Sequence, residues 1–561
     1  MTENNDQINT GTEVPTSPMP SSQLNHPWLV LALIALVALI TEQIFFKQPD
    51  GMQWEIFILM VLLAILGSVL IERLKVPIKS LWLFLPILLL TALNLFRSES
   101  FTMTASIIAT LICLVWLGTS FLNGQWSQYR LREHINQTFL LSLNALIGLP
   151  TMLIDNLRRG TNDKSAAKME PGSNKTLWAV LRGLLIALPI LVIFTALLAS
   201  ADAMFSNRVE SLFAWLGKFN LNDFIQRVFL VSMIAYIMFG LFSFALTKTR
   251  QLQTIEPDRP MLKPFLGVTE ASVVLGLVNT LFLLFLVIQF RYFFAGQVNV
   301  SEAGLTYSEY AVKGFQELIL VACVALGLHW LLAGVTRRES HIQKTTFSIL
   351  ATLLIVQVGI ILFSAFQRLS LYEAAYGFTQ SRLVAQVFMI IVGLMLVAAL
   401  WMQWRDAFKH QAVVLLGLAV LFALTLGFMN VDRTIARLNL AKAQKDGKLD
   451  ASFLVYQLSD DAVTELFARY DTQSLQPELQ TKLGKVLACK ANIYQVSELQ
   501  TRSWFAENFP RRTAARLYSE HADALATYKL EMQILPDEAT QMGFTIDNVW
   551  IGCGINPLPA E

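Results

Sequence analysis

Eleven stretches of this chain are long and apolar enough to cross a lipid bilayer, and no other feature restricts the fold as strongly. A transmembrane helix needs about 20 mostly apolar residues, and a helix suits the bilayer because it satisfies its own backbone N–H and C=O groups. The runs extend from Trp28 to Phe46, Trp54 to Ile71, Ser80 to Phe96, Phe101 to Leu122, Leu177 to Leu198, Arg227 to Thr247, Gly267 to Phe290, Phe315 to Val335, Thr346 to Phe366, Leu383 to Trp404 and Ala412 to Met429. The expected fold is an all-α integral membrane protein with about eleven transmembrane helices. Only 15% of the 561 residues are charged, which excludes a single soluble enzyme; a soluble domain carries roughly 25%.

The charge is unevenly spread. Residues 431–561 hold 14 Lys or Arg and 17 Asp or Glu, the density of a soluble domain. Three parts follow: a polar, disordered cytoplasmic tail at 1–26, a polytopic transmembrane domain at 27–430, and a soluble helical C-terminal domain at 431–561. The leader lacks the basic residues of a cleavable signal peptide and carries Glu3, Asp6 and Glu13. A net charge of +2 gives no global field for nucleic acid, so none is expected as a partner.

Orientation follows from Lys and Arg, which stay on the cytoplasmic side. With the N-terminus inside, inner loops collect 19 basic residues, including Arg73, Arg130, Arg132, Arg337 and Arg338, against 9 outside. An odd number of spans then puts residues 431–561 in the periplasm of a bacterial inner membrane. The apolar segment Thr138 to Ile154 would invert this if it spanned, leaving 12 basic residues inside and 16 outside. It carries Asn144, Gly148 and Pro150, so it is expected as an interfacial or re-entrant piece of a cytoplasmic segment near 123–176.

Within the tail, the run to Gly447 reads as a helix, Ser459 as an N-cap before SDDAVTELF, and the stretches 478–489 and 511–530 as further helices. The closing FTIDNVWIGCGINP alternates and reads as a short strand or hairpin. Cys113 and Cys323 fall inside spans, whereas Cys489 and Cys553 share the tail. The last two either form a disulfide, as an oxidising compartment permits, or stay separate buried thiols.

No P-loop, zinc spacing or G-x-S-x-G motif is present, and the six histidines are isolated in sequence, so neither a metal nor a cofactor is expected. Polar groups in or near the spans are Glu42, Asn94, Glu270, Asn279, Gln289, Glu317, His329 and Gln357. Glu42 and Glu270 are expected at the interface, and Asn279 and Gln357 as links between helices. None sits deep enough to suggest a proton relay.

The outer ends of the last spans are richer. YSEYAVKGFQEL brings Tyr307, Glu309, Tyr310, Lys313 and Glu317 to the helix entering the eighth span, and RLSLYEAAYGFTQSRL reads as a loop carrying Arg368, Tyr372, Glu373, Tyr376, Thr379 and Arg382. NVDR adds Asp432 and Arg433. Topology alone gathers these groups on one outer face, where they serve either as anchors and ion pairs that dock the tail or as a ligand site.

Those two segments, together with DRTIARLNLAKAQKDGKLDASFLVYQLSDDAV, resemble a bacterial membrane family, domain of unknown function 4173, related to the 4153 group. The resemblance spans roughly residues 177–475, with Phe378 where the family is expected to carry Leu. It implies a polytopic inner-membrane protein and no particular reaction. Three readings follow. The first is a non-enzymatic envelope scaffold or sensor whose tail binds a protein or lipid-linked ligand. The second is a transporter or flippase of an amphiphilic envelope compound. The third is a transferase using Glu309, Glu317 or Glu373 as general base. A homo-oligomer is compatible with the small-residue stripe Ala419, Ala423 and Gly427.

Overall fold

The computed structural model describes residues 24–46, 51–162, 221–247, 249, 264–294, 315–473, 475–498, 504–534, 540–547 and 549–555. Nine helices among them are long and apolar enough to cross a membrane. In chain order the membrane region contains α1 (Pro27–Phe45), α2 (Gln53–Glu72), α3 (Ile78–Leu81), α4 (Phe84–Asn94), α5 (Ser100–Ser120), α6 (Leu131–Asn162), α7 (Leu221–Thr247), α8 (Val268–Phe294), α9 (Phe315–Val335), α10 (His341–Tyr376), α11 (Gln380–Arg405) and α12 (Gln411–Met429). The expected span at 177–198 lies outside the described residues. Lipid-facing apolar side chains stay uncovered, as Leu70, Leu277 and Val397 do at 77%, 68% and 64% exposure.

Three expectations change. The run from Ser80 to Phe96 is two short helices, α3 and α4, because Pro86 offers no N–H to the carbonyl of Trp82 and its ring crowds that carbonyl. The segment 138–154 is the middle of one continuous 32-residue helix, α6, rather than a short element of its own. It packs closely on α7, where a Cβ on Gly240 would lie 2.5 Å from Ala145 Cα. The Asn144 amide donates there to the Gly240 carbonyl at 2.7 Å. Finally, the supposed loop 368–376 is helical. α10 is 36 residues long, about 54 Å at 1.5 Å per residue, and overruns a hydrocarbon layer of about 30 Å. It stops only at Gly377, whose φ of +82° is open to glycine at little cost.

Polar pairs fix which helix ends lie together. Glu72, closing α2, accepts from the backbone N–H of Asn25 (2.7 Å) and His26 (2.8 Å) at the start of α1. The Ser80 hydroxyl donates to Phe121 O at 2.8 Å, and Leu122 N–H donates to the Thr249 hydroxyl at 3.2 Å. At the opposite end, Glu42 of α1 is buried within the protein and pairs with Arg227 of α7 at 3.0 Å. The expected helix links are present: Asn279 donates to Leu350 O (3.0 Å), and Gln357 to Asn279 O (3.1 Å).

After Met429 the chain turns through Asn430 alone (φ 52°, ψ 84°) into α13 (Val431–Asp446), followed by α14 (Ala451–Tyr456), α15 (Val463–Asp471), α16 (Pro477–Glu498), α17 (Phe509–Glu520) and α18 (Ala522–Ala526). Ser459 caps a short 3-10 turn by accepting from Asp461 N–H. Three antiparallel strands, β1 (Glu531–Ile534), β2 (Thr540–Ile546) and β3 (Val549–Ile555), form a sheet in that order, one strand more than a hairpin. The pairing of Phe544 with Ile551 places both on the face buried against the tail helices. Cys489 of α16 and Cys553 of β3 are joined in a disulfide.

Candidate functional site at the bundle and tail junction

The core of the tail continues without a break into the membrane region. Leu383, Val384 and Val387 of α11 and Leu426 of α12 belong to the same apolar cluster as Ile435, Leu440, Leu466 and Leu487. Burial of this kind stabilises by roughly 25 cal/mol per Å² and has no direction, so polar contacts must fix the register.

Three turns of the bundle are held by the tail. At the first, Met52 N–H donates to Phe505 O at 2.7 Å. At the second, Asp461 Oδ2 accepts from the N–H groups of Ser98 (2.6 Å) and Glu99 (3.0 Å), just before α5. Phe509 N–H donates to Leu95 O at 3.2 Å beside a stacked Phe96–Phe509 pair, and Arg97 Nε donates to Gly427 O at 2.6 Å. Burial pushes the Asp461 carboxyl above its ordinary value, although these donors and Arg97 pull it down. Burial likewise lowers the Arg97 guanidinium, with Asp461 opposing.

The third turn, Gly377 to Thr379, is held by Asn439 of α13. Its Oδ1 accepts from Phe378 N–H and its Nδ2 donates to Phe378 O, both at 2.8 Å. Beside it, Gln380 donates to Asp432 Oδ1 at 2.7 Å and to Gln457 O at 3.1 Å, while Asp432 Oδ2 accepts from Ser459 N–H at 2.7 Å. A carboxylate buried at 0% exposure is tolerable with its oxygens so occupied.

The structure therefore brings together part of the expected outer cluster. Arg382 donates to Gly377 O at 2.5 Å and lies 4.0 Å from the centre of the Tyr372 ring, which meets Tyr376 edge-on. Glu373 is 1% exposed and accepts from Gln386. Arg433 reaches Glu465 at 3.4 Å, and Thr379 shares a hydroxyl contact with Ser381 at 3.3 Å. Arg368 is partly buried on α10, while Glu317 is exposed in the first turn of α9. Tyr307, Glu309, Tyr310 and Lys313 lie outside the described residues.

A cleft of about 580 Å³ opens at this junction. Its wall offers the amides of Gln316, Gln380 and Gln457, the Arg382 guanidinium, and the rings of Tyr372 and Phe453. None of the described residues lining it is acidic. Among the described residues, no group of three or more His, Cys, Asp or Glu could hold a metal.

Reading the sequence missed Asp461 and Asn439 as site residues. Asn439 had a legible signal, since it falls four residues after Ile435 on the face of α13 that Ala436, Leu440 and Ala443 bury. Asp461 had none, because its partners are 363 and 362 residues away in sequence.

The class these features define is a multi-pass helical membrane protein with its C-terminal helical region bound onto one end of the bundle. The chain belongs to the family described as Domain of unknown function (DUF4153), whose model matches residues 83–468. That match is to the 4153 group and begins earlier than the resemblance at 177–475, taking in α4 and the turn capped by Asp461. No curated protein and no solved structure matches the chain.

Proposed function

We propose that this protein is a non-enzymatic scaffold or sensor of the bacterial inner membrane, with its N-terminus cytoplasmic and its C-terminal region periplasmic, which binds a protein or lipid-linked ligand at the junction cleft. One observation carries this reading: Asp432 and Asp461 are engaged with backbone N–H groups and amides, and Glu373 is buried with one oxygen accepting from Gln386, while the cleft wall presents amides, hydroxyls and one guanidinium. Such a wall can recognise a polar or acidic group and, among the described residues, offers no carboxylate to move a proton during transfer chemistry. The disulfide between Cys489 and Cys553 is in keeping with an oxidising compartment.

Complementation of a deletion strain under envelope stress tests the reading. Arg382→Ala and Gln457→Ala are expected to fail at normal protein level, while Glu317→Gln and Glu373→Gln restore growth. Loss of function in either glutamate variant at normal level would refute the non-enzymatic reading in favour of acid–base chemistry. A C-terminal alkaline-phosphatase fusion is expected to be active; an inactive fusion overturns the orientation.

A further inference from the structure

Glu55 occupies the third position of α2, where the unpaired N–H groups of the first turn favour a negative charge. Its side chain is 2% exposed; the Asn94 side chain and the backbone N–H of Glu55 itself lie within reach of the carboxylate, yet neither oxygen makes a well-formed hydrogen bond among the described residues. A charge buried without compensation costs several kcal/mol, so a carboxylate there calls for a neutralising partner.

Beside it lies a cavity of about 10 Å³, room for one water-sized particle. Three helices build its wall, with Glu55 from α2, Thr91 and Asn94 from α4, and Thr110 from α5, while Trp54 borders it. The polar groups are oxygen-rich. Asn94 is 5% exposed and its Oδ1 is also without a partner. Thr91 spends its proton on Ile87 O at 2.7 Å, so its oxygen lone pairs stay available. Oxygen acceptors suit hard cations, and a single carboxylate balances a single positive charge.

We propose that Glu55, Thr91, Asn94 and Thr110 form a binding site for one sodium-sized monovalent cation, buried where α2, α4 and α5 meet. Occupancy neutralises Glu55 and links α2 to the other two helices.

The test uses the full chain purified in detergent at fixed pH and ionic strength. Binding of radioactive sodium is measured by equilibrium dialysis, and unfolding is followed in sodium chloride against choline chloride. The expected result is one saturable sodium per chain and a sodium-dependent rise in unfolding temperature. Glu55→Gln should weaken binding by roughly 30-fold or more, the effect of removing one partner of a buried charge pair. Thr110→Val, which keeps the charge and the shape, should weaken it less, and Glu42→Gln, at a separate ion pair, should leave it unchanged. Absence of saturable sodium binding to the wild type overturns the proposal and leaves a protonated Glu55 with a water. Undiminished binding by Glu55→Gln or Thr110→Val overturns it as well.

Discussion

Asp461→Ala should open the junction between the tail and the turn before α5. The wild-type carboxylate accepts from Ser98 N–H at 2.6 Å and Glu99 N–H at 3.0 Å, and Asp461 and Glu99 are 5% and 1% exposed. Alanine removes the acceptor and strands both donors. The orphaned buried N–H of Glu99 costs about 1–3 kcal/mol and the half-buried one of Ser98 about 1 kcal/mol, so the pair costs about 2–4 kcal/mol, a large share of a typical stability. Asp461→Asn keeps an oxygen for the same donors and loses only the charge assistance, about 1 kcal/mol per bond. The assay is hydrogen–deuterium exchange of Ser98 and Glu99 in the detergent-purified chain. The alanine variant should exchange there roughly 30-fold faster or more, with asparagine in between. Unchanged exchange at 98 and 99 in Asp461→Ala would show that the apolar cluster alone seats the tail.

The same residue gives a pH signature. Burial raises the Asp461 carboxyl in the folded protein above its ordinary 3.8, so folding favours the protonated form. Its titration therefore contributes stability that is complete below pH 3.8 and is lost as pH rises through the folded value. Asp461→Asn should lack this part of the pH dependence of unfolding.

Other perturbations read other parts of the junction and tail. Gly377→Ala should destabilise by about 1–3 kcal/mol, because φ is +82° and a Cβ would stand 2.9 Å from Asn439 Oδ1; an unfolding midpoint equal to wild type would count against the clamp. Lys490 is buried and donates to Val455 O (3.0 Å) and Leu458 O (2.8 Å), and burial lowers its ammonium below 10.5. Wild-type stability should accordingly rise with pH from the folded value toward 10.5, and Lys490→Met should remove that slope in pH-dependent unfolding. Reduction, or Cys489→Ser with Cys553→Ser, should cost the tail about 4 kcal/mol by the chain-entropy relation for a separation of 64 residues. Denaturant unfolding with and without reductant checks it, and equal midpoints would refute it.

The apolar runs made the spans legible because lipid imposes one solution on the backbone, but hydropathy marks where a helix is greasy and not where it ends. α10 shows the difference. Its greasy part closes at Phe366, yet RLSLYEAAY contains no breaker, and the helix continues to Gly377. Pro86 was visible in the sequence, and its effect on the carbonyl of Trp82 is local enough to have been foreseen. At the junction, charge and topology placed Arg382, Glu373 and Asp432 at one end, while their partners Gly377 O, Gln386 and Gln380 emerge only from the fold. Glu55 escaped notice because it follows Trp54 at the very start of an apolar run, where a glutamate reads as interfacial; its burial comes from α4 and α5 closing over it.

The junction also bears on whether the proposed protein senses or merely holds. The cleft is walled by Arg382 and Gln316 on the bundle side and by Phe453 and Gln457 on the tail side. A ligand that drew these walls apart would break the two bonds between Asn439 and Phe378 and the two from Gln380 to Asp432 and Gln457. At a net contribution of about 1 kcal/mol each, that is about 4 kcal/mol, before counting the shared apolar core. A ligand shifts an equilibrium only by its differential affinity for the two states, so opening demands a preference of about 1,000-fold or more for the open form. Asn430 adds to the requirement, because a one-residue connection leaves α13 little freedom to move without α12. A scaffold needs no such preference, since its ligand binds the cleft as it stands. On the proposed function, static docking therefore makes the smaller demand on the ligand, and a signal requires one large enough to engage both walls.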